Sequence, residues 1–372
     1  MSSVKDSKNY KVIGTRPVRP DGADKVTGRA LYGADFEISG LLHGKILRSP
    51  HPHARIKSIN YDEALKIEGV LAVVTSKDLP DSPNETSSIA YARGNHLAKD
   101  KVLYVGHAIA GVAAIDAHIA EEALDSIKVD YEILSPSLSV EEAMNDSSEI
   151  IHENAFMKEF GEMTTTNNNI DEHFQHKIGN VSKGFEEADL VVEGKYSTVM
   201  VHQGYIEPHA ATALWRADDS ITVWNSTQGS FPDRDEISSI LDVPISKIKV
   251  VPMEIGGGFG GKIPIYQEPV AALLSKKTGR PVKIIMSRKE VFESSGPTPG
   301  GYTWVKIGVK NNGKITAMQA ELAFEAGGFP GSPVGMGSQC VFAAYNCANQ
   351  LVDGYDVIVN KPKTAPYRAP GS

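Results

Sequence analysis

The strongest chemical signal in the chain is the stretch Gly256-Gly257-Gly258-Phe259-Gly260-Gly261-Lys262, five glycines around one Phe and one Lys. Glycine permits positive φ and lets main-chain N–H groups approach a bulky ligand, and successive bare amides make an anion-binding concavity. A tight turn needs only one or two glycines. Two phosphate motifs can be set against this one. The P-loop fits from Gly256 to Gly261-Lys262 and fails at Ile263, where magnesium needs a hydroxyl. The dinucleotide fingerprint fits as Gly256, Gly258 and Gly261, but Glu290 lies too far on to serve as its acidic partner.

Other chemistry-bearing residues are weaker signals. Glu207, between His202 and His209, could form an acid/base pair, although a brace for a turn is the more ordinary use of such a group. His43, His51 and His53 suggest a metal, yet no carboxylate or thiol accompanies them and Pro50 and Pro52 suit a turn. Cys340 and Cys347 are too few for a disulfide framework or an iron–sulfur cluster, and read as small buried apolar residues.

The elements that must position the glycine stretch are a strand before it and a helix after it. Residues 248–255 alternate like a half-buried strand, and Tyr266–Lys277, apolar at Val270, Ala271, Leu273 and Leu274, reads as a helix that could place the loop at its N-terminus. Upstream, strands and helices alternate over residues 25–135, which argues a compact α/β unit after a polar leader at 1–24. Residues 80–95 read as loop, and 136–180, rich in Ser, Asn, Thr and His, read as a linker arm. A second unit runs from 181 to 372, with strands at 190–199, 302–310 and 315–324 and a Gly/Pro-rich loop at 326–338. A chain of 372 residues exceeds one growing core, hence two domains or more. Net charge −8 without a basic run excludes nucleic acid and anionic membrane as partners. No apolar stretch spans a bilayer, and Met1–Lys8 is polar where a signal peptide is apolar, so a cytoplasmic location is expected.

Five motifs in one order carry a resemblance: Gly28–Asp35, Arg48–Ile56, Ser226-Thr227-Gln228, Gly256–Lys262 and Tyr367–Gly371. From about Asp24 onward the chain resembles the molybdenum-binding subunit of the xanthine dehydrogenase/aldehyde oxidase family. The resemblance implies an α/β (α+β) fold, an α/β hammerhead domain followed by the first part of a molybdopterin-binding domain. It implies a molybdenum–molybdopterin cofactor, the cytosine dinucleotide form being one option, with molybdenum held through the pterin and not by side chains. Gln228 matches the glutamine that hydrogen-bonds an oxygen ligand of molybdenum. Gly258, Phe259 and Gly260 match the loop whose backbone lines metal and pterin, and Arg368 matches a cofactor-contacting arginine.

Two departures bear on substrate. Purine-oxidising members carry a glutamate just after the Gly-Gly-Lys, where this chain has Ile263. An arginine that orients purines falls near Met336, and none lies between Arg288 and Arg368. An apolar pocket suits an aldehyde or aromatic substrate better than xanthine. The general-base glutamate belongs to a half of the family's length that this chain lacks. The resemblance therefore implies that these residues catalyse nothing alone, and that a further molybdopterin-binding half, on the same or a second chain, is needed. Electrons leave through 2Fe-2S and FAD subunits, since two cysteines cannot hold the clusters. A non-catalytic cofactor-binding or assembly subunit is the alternative, and a nucleotide-binding protein with phosphate at Lys262 is a third.

Overall fold

The computed structural model describes residues 10–81 and 85–368. Its centre is a seven-stranded sheet in the order Ile248–Pro252, Ile221–Asn225, Ala210–Trp215, Val282–Ile285, Leu42–Arg48, Ala108–Ala114, Val70–Thr75. Leu42–Arg48 runs parallel to Val282–Ile285, with Leu42 opposite Val282 and Gly44 opposite Ile284. Strands that precede residue 115 and strands from 210–285 thus share one sheet. Alternation of strands and helices says which segments are extended; it does not say which strands become neighbours.

Helix Glu268–Thr278 lies on this sheet. Pro269 sits in its first turn, where a missing N–H costs nothing, and Gly279 ends it at φ 64 with its N–H on the Ser275 carbonyl. Val270, Ala271, Leu273 and Leu274 are all buried, each large aliphatic contributing about 1.5–3 kcal/mol by leaving water. The fit is close: a Cβ on Gly111 of the sheet would lie 2.5 Å from Val270 Cγ1.

The second seven-stranded sheet runs Leu190–Thr198, Gly301–Val309, Ile315–Gly327, Gln350–Ile358, Ile170–Ile178, then two short strands at 158–159 and 162–163. Gly313, at φ 84, makes the expected hairpin turn. Residues 136–180, expected as a linker arm, contain regular elements. They supply Ile170–Ile178, paired along its length with Gln350–Ile358, and helix Val140–Ala143. The polar composition misleads because this strand's partner lies far along the chain and the sheet buries only some of its side chains. Two further segments expected as loop are helical. Ser87–His96 is capped by Thr86, whose hydroxyl accepts from Ile89 N–H, and Val334–Cys340 packs on the second sheet. Glycines at 94, 335 and 337 hide both helices from a propensity reading. Cys347 is buried as expected, whereas Cys340 is exposed at the end of its helix. No helix among the described residues is long and apolar enough to cross a membrane.

Candidate molybdopterin-binding site

Strands Ile221–Asn225 and Ile248–Pro252 are parallel neighbours, Asn225 opposite Pro252, so the chain leaves both at the same edge of the sheet. One exit is Ser226-Thr227-Gln228; the other leads into the glycine stretch. The strand expected to reach residue 255 ends at Pro252, where proline has no N–H to pair.

Gln228 joins the two exits. Its N–H donates to the Lys262 carbonyl at 2.9 Å, and its side-chain oxygen accepts from Gly260 N–H at 2.8 Å and Lys262 N–H at 3.2 Å. Because the oxygen is turned inward, the NH2 of the same amide faces outward on an exposed side chain. A third segment arrives from the last of the five motifs. Arg368 N–H donates to the Phe259 carbonyl at 2.7 Å, and Gln203 Nε2 holds the Pro366 carbonyl at 2.8 Å and that of Gly296 at 3.0 Å. Gln228, Gly258, Phe259, Gly260 and Arg368 are therefore brought together. Ile263 is half-exposed on the same loop, while Met336 lies on helix Val334–Cys340 over the second sheet. Ala369, Pro370 and Gly371 of the last motif lie outside the described residues.

Two of the glycines are required by space as well as by torsion. A Cβ on Gly258 would sit 2.5 Å from Gln228 Oε1, and one on Gly260, at φ 101, would sit 2.4 Å from the Pro366 carbonyl. Phe259 itself is held at φ 51 with its ring half-exposed. The N–H groups of Gly257, Gly258 and Phe259 find no acceptor among the described residues. Three consecutive free amides, an outward carboxamide NH2 and an exposed Arg368 form a donor-rich, anion-seeking wall, which fits a pterin phosphate and an oxygen-ligated metal. Among the described residues no three His, Cys, Asp or Glu side chains gather as metal ligands.

Lys262 is not part of that wall. Its side chain is 0% exposed and its ammonium lies 2.6 Å from Glu207 Oε2, which also accepts Gly256 N–H at 2.6 Å. Burial pushes the ammonium pKa down and Glu207 opposes the shift. A nucleotide phosphate cannot reach it. The helix after the loop starts only at Glu268, whose buried carboxyl already accepts Tyr266 N–H at 2.8 Å, so the loop does not cap a helix N-terminus. Glu207 is a brace, and the histidines beside it serve another bond set. Tyr205 Oη meets His209 Nε2 at 2.5 Å and Ser295 Oγ at 3.0 Å, and Ser295 Oγ meets His202 Nε2 at 2.8 Å. Burial, with Lys262 nearby, pushes His209 well below its ordinary value, and burial, then the charge of Arg288, pushes His202 down to about 4, both of which favour the neutral imidazoles. His53, from the other histidine cluster, is buried with Nδ1 2.9 Å from the Ser135 carbonyl.

Behind Gln228 a second polar group was not visible in the sequence. Asn225 Nδ2 donates to Asp233 Oδ2 at 2.8 Å and to Glu268 Oε1 at 3.0 Å, tying the strand end to the first turns of two helices. Burial, then the charge of Glu268, pushes Asp233 up to about 7. The three residues are 43 positions apart at most, and no spacing rule connects them.

The chain matches two family descriptions, "Molybdopterin cofactor-binding domain" over residues 162–372 and "Aldehyde oxidase and xanthine dehydrogenase, a/b hammerhead domain" over 27–135. It is 35% identical to a probable xanthine dehydrogenase subunit of Bacillus subtilis, over 95% of this chain and 46% of that protein. It is 32% identical to the nicotinate dehydrogenase large molybdopterin subunit of Eubacterium barkeri, over 98% of this chain and 83% of that one. Aldehyde oxidoreductase from Desulfovibrio gigas superposes with a TM-score of 0.85 at 26% identity, over 95% of this chain and 39% of the other. The chain thus spans less than half the length of two of these three relatives. The matched domains and the close superposition agree with the donor-rich wall, and the chain belongs to the xanthine dehydrogenase/aldehyde oxidase family of molybdopterin-binding oxidoreductases.

Proposed function

We propose that these residues form one wall of the molybdopterin site of an oxidoreductase that hydroxylates an aldehyde or an aromatic heterocycle. The observation that carries this reading is the convergence of Gln228, the 257–260 backbone and Arg368 on one edge of the sheet. The amides of Gly257, Gly258 and Phe259 and the Arg368 guanidinium hold the anionic pterin, and the Gln228 NH2 donates toward the metal's oxygen ligands. When bound, the cofactor supplies a two-electron oxidising centre that inserts water-derived oxygen into an activated C–H bond. The chain's own contribution is to orient and to exclude water. Phe259 and Ile263 present apolar surface there, which selects against polar purines, with Met336 a candidate for a further wall. The hammerhead unit is assigned to residues 25–135 and the cofactor-binding part to 181–372.

The general-base carboxylate is placed outside these residues, on a further molybdopterin-binding half, and 2Fe-2S and FAD subunits carry electrons away in the cytoplasm. The cytosine dinucleotide form of the pterin is the variant proposed. Metal and pterin analysis of the complex purified with this chain tests the reading. Molybdenum stoichiometric with the chain, and its loss in Gln228→Leu, is expected. A complex that holds iron–sulfur and flavin but no molybdenum overturns it in favour of an assembly role.

A further inference from the structure

After strand Gln350–Ile358 the chain runs from 359 to 368 without helix or strand, and this arm brings Arg368 to the glycine stretch. Backbone bonds hold its first part: Thr364 N–H donates to the Ala326 carbonyl and Ala365 N–H to the Pro297 carbonyl, both at 2.9 Å. Its last part has fewer. Pro366 has no N–H, and Tyr367 N–H finds no acceptor among the described residues. Arg368 itself sits at φ 30, in the left-handed region, where a residue other than glycine stays only if its neighbours fix it. Besides the Arg368 N–H on the Phe259 carbonyl, one polar tie reaches residues 366–368 among the described residues: Gln203 Nε2 on the Pro366 carbonyl.

Gln203 belongs neither to the glycine loop nor to the arm. It follows Val201, whose carbonyl accepts Thr298 N–H at 2.8 Å, and it is buried. Its amide lies against the loop, since a Cβ on Gly261 would come within 2.9 Å of both Gln203 Cδ and Oε1. The Pro366 carbonyl is thus confined between the bare Cα of Gly260 and the Gln203 amide. Both Nε2 hydrogens are engaged, on Pro366 and on Gly296, and turning the amide over would set Oε1 against two carbonyl oxygens. In the orientation observed, Oε1 is buried without a donor. An unpaired buried acceptor is costly, and an apolar side chain of similar volume would avoid it. What the carboxamide adds here is its pair of donors.

The geometry points to Gln203 as a positioning residue of the cofactor wall: by holding the Pro366 carbonyl against Gly260 it fixes the Arg368 backbone, and so keeps the guanidinium beside the free amides of 257–259. The inference rests on the preceding reading that this wall binds molybdopterin.

The test uses the purified complex carrying the parent chain, Gln203→Met, Arg368→Ala or both substitutions. Met keeps the length of the side chain and removes its donors. Hydrogen exchange of single amides reports the tie: Arg368 N–H is expected to exchange about ten-fold faster in Gln203→Met, the factor that one or two net hydrogen bonds supply, while Ala271 N–H inside helix Glu268–Thr278 keeps the parent rate. A retained circular dichroism spectrum and a single urea transition show that the variant folds. Should it not fold, Gln203→Asn, one methylene short of the Pro366 carbonyl, takes its place with the same expectation. The rate at which molybdenum is lost on dialysis is measured on the same samples. It is expected to rise about ten-fold in Gln203→Met and in Arg368→Ala, and no further in the double variant, because both changes act through one guanidinium. A side chain that only filled space would add its effect to that of Arg368→Ala. An unchanged Arg368 amide, faster exchange shared by Ala271, or additive losses in the double variant overturn the proposal. A parent complex without molybdenum refutes the functional reading, and the Arg368 amide then decides the role of Gln203 alone, standing if it opens and falling if it does not. A loaded Gln203→Met complex that loses molybdenum at the parent rate overturns the role and leaves the functional reading in place.

Discussion

Replacing Lys262 by Met separates a structural counter-ion from a ligand-binding cation. Met keeps the aliphatic length and deletes the charge, leaving Glu207, only 9% exposed at its side chain, with the Gly256 N–H as its remaining donor. Removing one partner of a buried ion pair costs roughly 3–5 kcal/mol. The surviving charge-assisted hydrogen bond places the expected loss near the lower end, about 3 kcal/mol. Urea unfolding followed by tryptophan fluorescence and circular dichroism measures it, together with Glu207→Gln and the double variant. The double variant strands no charge, so its loss is expected to fall short of the sum of the single losses by about 2 kcal/mol. A Lys262→Met protein within about 0.5 kcal/mol of the parent refutes the reasoning, because that is the range of a surface substitution. Lys262 would then be free to meet a ligand.

Gly260→Ala and Gly279→Ala both place a side chain at positive φ, but only the first also meets backbone, 2.4 Å from the Pro366 carbonyl. The second is expected to cost about 1–2 kcal/mol and the first clearly more, by the same urea assay; equal losses contradict the packing described. Asp233→Asn tests the buried carboxyl pair. An unfolded aspartate titrates near its ordinary value while the folded one holds its proton to about 7, so stability falls as pH rises between those values. The decline is bounded at roughly 4 kcal/mol. The amide variant is expected to flatten it, and identical pH profiles for the two proteins from about 4 to 8 refute the assignment.

Local chemistry made much of this protein readable in one dimension. Pro269 and Gly279 frame a helix, Asn311-Asn312-Gly313 turns a hairpin, and a glycine run after a strand announces backbone meeting a large ligand. These are properties of a few adjacent residues, set by φ/ψ preference and by which side chains are missing. Lys262, by contrast, looks like a phosphate ligand beside its glycines and becomes a buried counter-ion because Glu207, 55 positions earlier, folds beneath it. The glutamine at 228 was legible as a donor. That its oxygen is pinned by Gly260 and Lys262, leaving the NH2 to face outward, depends on two parallel strands ending side by side. Strand Ile170–Ile178 and the Asn225–Asp233–Glu268 cluster were invisible for the same cause: hydrogen-bond pairing and desolvation act between neighbours in space, and which residues become neighbours is decided only when the sheet assembles.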